Sequence, residues 1–249
     1  MSAVDVPAAR PRPRAGAAIA ALYSLLLRTQ VTIPRLLGIG ALAGLAVLLG
    51  VFARWGDEPT QAAADVVAAY GLGIVVPLGA LWFGTSAVGD LIDDRLLVYL
   101  WLKPIPRWQL PAAAILATIT LVAPLTALPL AVAALAAGDG GLALTALVSA
   151  TLAVCAYSGL FVAAGIWFRR AVWWGLAFVL LWENAAAHSS DGLARFTVTS
   201  WAHSILSTAT DVGVPLDTRS VTAAFVVLPA VAVAGWLLAT FRYGRADVD

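Results

Sequence analysis

Trp108-Gln-Leu-Pro-Ala-Ala-Ala-Ile-Leu-Ala-Thr-Ile-Thr-Leu-Val-Ala-Pro-Leu-Thr-Ala-Leu-Pro-Leu-Ala-Val-Ala-Ala-Leu-Ala-Ala-Gly138 carries no charged side chain. After Asp139 a second charge-free run extends from Gly140 to Phe168. A helix crosses a bilayer with about 20 mostly apolar residues, and each run exceeds that. Backbone groups in hydrocarbon must pair within their own segment, so both runs are expected to be helices. Gly138-Asp139-Gly140-Gly141 between them predicts a tight turn and hence a helical hairpin. Pro124 and Pro129, like Pro77 and Pro229 elsewhere, are expected to kink helices rather than end them.

Working outward, comparable stretches are Leu36 to Ala53, Val66 to Gly89, Ala171 to Ala187 (broken only by Glu183) and Ser220 to Phe241. The sequence therefore predicts an all-α membrane protein of six transmembrane helices, with spans at about 36–53, 66–89, 111–137, 142–168, 171–187 and 220–241. Composition agrees: 61% of residues are apolar, 12% are charged, and the mean hydropathy is +0.91. A soluble domain carries roughly twice that charge fraction. The net charge of +1 gives no reason to expect nucleic acid. The single cysteine, Cys155, excludes an internal disulfide and a CxxC metal site.

Basic residues set the expected orientation. With six spans and an inner N-terminus, Arg10, Arg12, Arg14, Arg28, Arg35, Arg95, Lys103, Arg107, Arg169, Arg170, Arg242 and Arg245 lie inside, and only Arg54, Arg195 and Arg219 lie outside. That bias predicts a multi-pass protein of a bacterial inner membrane with both termini cytoplasmic. Residues 1–14 then form a cytoplasmic tail. The apolar run from Ala15 to Leu27 is too short to span, and Arg28-Thr-Gln follows it instead of a cleavage site. Residues 15–32 are read as an N-terminal helix lying in the cytoplasmic interface.

The chain has no GxxxxGK[ST] phosphate loop, no HExxH and no GxSxG. No catalytic residue, cofactor or metal site is expected. His188 and His203 fall in the outer segment and read as solvated loop histidines. Gly40-x-x-x-Gly44 has the form of a helix-packing motif, but in an Ala/Gly-rich chain chance is the better reading.

The most unusual segment is the loop at 90–110. Asp90, Asp93 and Asp94 share one helical face by their spacing, and Arg95 follows them. Next come the apolar Leu96 to Leu102, with Leu97, Tyr99 and Leu100, and then Lys103-Pro104-Ile-Pro-Arg107. Two readings stand on residue chemistry alone. A rigid apolar helix flanked by charge suits insertion into a groove on a soluble partner. It equally suits dipping into lipid headgroups.

This loop resembles the signature of the ABC-2 type permeases, the membrane subunits of many ATP-binding-cassette exporters. Asp90, Asp93 and Asp94 match the family's acidic run, Tyr99-Leu100 its tyrosine-leucine pair, and Lys103-Pro104 with Arg107 its basic-Pro-x-x-Arg turn. The chain has Arg95-Leu96 where the family often has Gly-Thr, and Lys103 where Arg is commoner. The resemblance implies ABC-2 type exporter architecture and a coupling role for the 90–110 loop. It implies a chain that is not itself an enzyme, beside a cytoplasmic ATPase subunit that holds ATP and Mg. A second permease subunit, the same or different, is expected across the pathway. Multidrug or lipid efflux would suit apolar spans. A stand-alone secondary carrier and a non-transporting membrane docking factor are the alternatives. Spans almost free of ionisable groups argue against ion-coupled carriage.

The outer segment at 188–219 is polar but contains an apolar stretch, Leu193 to Ala209, readable as a re-entrant or a surface helix. Glu183, followed by Asn184, is the one acid inside a predicted span. A charged side chain at mid-bilayer costs about 2.5–3.5 kcal/mol on the insertion scale. Glu183 is therefore expected to line a pathway, to hold a re-entrant turn, or to mark the outer end of the fifth span.

Overall fold

A computed structural model describes residues 15–93, 106–183, 191–208 and 220–245, and every element among them is a helix. The helices are α1 (Ala15–Gln30), α2 (Ile33–Ala53), α3 (residues 59–93), α4 (Gln109–Ala136), α5 (Gly140–Trp167), α6 (Ala171–Glu183), α7 (Asp191–Ala194), α8 (Val198–Leu206) and α9 (Val221–Arg245). Five of them, α2 to α5 and α9, are long and apolar enough to cross a membrane. The chain is thus a multi-pass helical membrane protein. The described part of the fifth expected span, α6, is only thirteen residues, from Ala171 to Glu183.

The hairpin turn follows from its sequence. Gly138 has φ of 96°, a conformation open to glycine without a Cβ penalty. Its N–H donates to the Leu135 carbonyl at 2.9 Å, and the Asp139 N–H reaches back to the Ala134 carbonyl at 3.4 Å, closing α4 with a Schellman motif. Asp139 then caps α5 by accepting from the Leu142 N–H at 2.9 Å. Pro124 and Pro129 lie inside α4 without ending it.

α5 is the central helix and packs against α3, α4, α6, α8 and α9. Small residues permit this. A Cβ on Gly159 would stand 2.6 Å from the Ala232 carbonyl oxygen, and one on Gly235 would collide with the Gly159 backbone, so α5 and α9 touch through bare backbone. Gly40 and Gly44 face open space, so neither brings helices of this chain together. α3 is continuous through the π-helical Val66–Val75. α1 packs along the first turns of α4, with Leu22 and Leu26 buried beside Leu110, Ala113 and Ala117. The Tyr23 hydroxyl donates to Thr120 Oγ1 at 3.1 Å. Leu37, Leu48, Phe52, Leu144, Val226 and Leu237 are exposed on the bundle's flanks, where hydrocarbon would cover them.

Candidate functional site

The break between α6 and α8 is the most polar buried part of the described structure. Ala171 to Trp182 is uniformly apolar, so Glu183 is the first ionisable side chain along α6. Its last residues, Phe178–Glu183, are π-helical. Glu183 is 2% exposed, so its carboxylate is covered by protein rather than open to solvent. Its Oε1 accepts from the Val198 N–H at 3.1 Å. Its Oε2 accepts from the Thr199 N–H at 3.1 Å and from the Thr199 hydroxyl at 2.7 Å. These amides belong to the first turn of α8, which has no intrahelical partners for them. A carboxylate there also meets the positive end of the helix dipole.

The local sequence explains why α8 starts where it does. Thr197 is extended, with φ −99° and ψ 136°, and its Oγ1 accepts from the Ser200 N–H at 3.4 Å. α8 is buried on nearly every side, against α5, α9 and the π-helical part of α3. His203 is therefore a correction to the solvated-loop reading: it is 5% exposed. Its Nε2–H donates to the Ala68 carbonyl at 3.1 Å, within the π-helical segment of α3. Tyr157, fully buried on α5, lies 3.0 Å from Thr199 Oγ1. Thr199 directs its single hydrogen to Glu183, so Tyr157 is the donor in that pair. A directed chain runs from Tyr157 through Thr199 to Glu183.

The sequence singled out Glu183 but not its partners, which lie 15 and 16 positions downstream. The usable signal was the Thr197-Val-Thr-Ser200 start of a short helix after an acid with no local partner. Asn184 lies outside the described residues.

Of the coupling-loop residues, Asp90 and Asp93 sit on the last turns of α3. Asp94, Arg95, Leu97, Tyr99, Leu100, Lys103 and Pro104 lie outside the described residues. Arg107 lies just before α4, and its guanidinium donates to the Gly244 carbonyl of α9. Beside it, the Trp236 indole N–H donates to the Trp108 carbonyl at 3.3 Å, and the two rings meet edge-on at 6.4 Å. The returning end of the loop is thus stitched to the last helix, which the sequence did not reveal. Among the described residues no group of three or more His, Cys, Asp or Glu side chains is placed to hold a metal ion. No protein-family model matches the chain, and no curated protein matches it.

Proposed function

We propose that this chain is the membrane-spanning permease subunit of an ABC-2 type exporter, with six crossings and both termini in the cytoplasm of a bacterium. The observation that carries the reading is the acidic, tyrosine-leucine and Lys-Pro-x-x-Arg pattern from Asp90 to Arg107, set between two long apolar helices. The Arg107 and Trp108 contacts to α9 support it mechanically: a push on the loop would reach α4 and α9 together. The fifth crossing is then a discontinuous one. α6 supplies its first half, and α8 resumes it beyond Glu183. ATP binding to a partner ATPase would favour one arrangement of these helices by a few kcal/mol.

Broken helices also occur in secondary carriers, where half-helix N-termini face anionic substrates. Here the α8 N-terminus is already filled by the chain's own Glu183, which weighs against that alternative.

The test is co-purification with an ATPase subunit encoded beside this chain. The wild-type pair should hold together, and replacing Leu97, Tyr99 and Leu100 by Ser should release the ATPase. Retained binding, or no ATPase partner at all, counts against the exporter reading and leaves the docking-factor one.

A further inference from the structure

At the arginine-rich end of the bundle, a cavity of about 730 Å³ opens between α2, α3, α5, α6 and α9. Arg35, Arg169, Arg170 and Arg242 line it, and among the described residues no carboxylate does. Arg169 and Arg170 form the link from α5 to α6. The Arg242 guanidinium lies 5.8 Å from the centre of the Trp167 ring. Trp173, also on the wall, is 71% exposed, as an indole at a membrane interface would be. Arg169, Arg170 and Arg242 bring three like charges to one cavity, and an anion among them offsets their mutual repulsion. Guanidinium groups match phosphate oxygens in charge and in fork geometry.

A second, apolar groove of about 180 Å³ adjoins this cavity. Phe161, Ala164, Phe168, Trp174 and Phe178 line it, and Phe168 borders both spaces. A basic chamber and an apolar groove that meet at Phe168 match the two halves of an amphiphile. A free phosphate would use only the chamber.

We propose that this pair of cavities binds an anionic phospholipid, its phosphate among Arg169, Arg170 and Arg242 and an acyl chain along Phe168. The site stands independently of the exporter reading, because it uses no residue of the coupling loop.

Native mass spectrometry of the full-length chain tests it, after incubation in detergent with equal amounts of phosphatidylglycerol and phosphatidylcholine. Phosphatidylglycerol adducts should exceed phosphatidylcholine adducts by at least about fivefold, since each nearby arginine contributes about 1 kcal/mol. Arg169→Gln/Arg170→Gln should cut the ratio at least about fivefold, leaving what Arg242 contributes. Arg169→Lys/Arg170→Lys should keep most of it, and Arg54→Gln in another part of the chain should not change it. Parity in the wild-type protein, which depends on no variant folding, overturns the proposal. Displacement of the lipid by millimolar inorganic phosphate also overturns it, in favour of a soluble anion.

Discussion

The α4–α5 hairpin and the α6–α8 break solve the same problem in opposite ways. In the hairpin, two 28-residue helices bond their own backbones, and only the turn needs help, from Gly138 and Asp139. At the break, a helix starts inside the bundle, and its first amides depend on a carboxylate from another element. Local sequence fully specifies the first arrangement. The second rests on a tertiary contact, so one side chain should matter far more there than anywhere in the hairpin.

The largest expected effect tests that directly. Glu183→Ala leaves the buried Val198 and Thr199 N–H groups without acceptors and should cost about 3 kcal/mol. Unfolding of the detergent-solubilised protein measures it. Amide exchange should accelerate selectively at 198 and 199. A loss no larger than that of the Asp139 variant below would show that the break does not depend on its acid.

Glu183→Gln sharpens the point. Its amide oxygen can accept from one of the two backbone donors, but its NH₂ group faces the other. A loss of about 1.5 kcal/mol is expected, between wild type and the alanine variant. Equal losses for Gln and Ala would mean that charge against the α8 dipole, rather than hydrogen-bond count, holds the joint.

Asp139→Ala is the matching change in the hairpin. It removes the side-chain acceptor for Leu142 N–H and should cost about 1 kcal/mol, the ordinary value of an N-cap. The hairpin should otherwise persist, because its helices carry their own backbone bonds. Exchange protection confined to the first turn of α5 should fall.

The contrast also explains what was legible in the sequence. Charge-free runs at 108–138 and 140–168 became helices at Gln109–Ala136 and Gly140–Trp167, because continuous apolar helices are set by local composition. The expected span at 171–187 is helical over its described part, Ala171 to Glu183, and its remaining residues lie outside the described ones. His203 looked like a solvated loop residue because nothing near it in sequence reveals the Ala68 carbonyl, 135 positions away. Polar side chains that pair across the fold leave no periodic trace. Arg107 was legible as part of a motif, but its bond to Gly244, 137 positions on, was not.

The smallest effect is expected at Tyr157, and it decides how the break is organised. Tyr157→Phe removes one hydroxyl from the chain that runs through Thr199 to Glu183, while the ring keeps its stack on Phe161 at 5.6 Å. Hydrogen bonds between membrane helices average about 0.6 kcal/mol, so a loss of that size is expected if the hydroxyl acts alone. In a directed chain, however, each donor polarises the next, and the Tyr157 bond should weaken once Glu183 no longer accepts from Thr199. A double-mutant cycle of Tyr157→Phe with Glu183→Ala should therefore show coupling, with the tyrosine change nearly silent in the alanine background. Strict additivity would place Tyr157 outside the joint. The tyrosine would then be a filler of the α5 core that happens to touch Thr199.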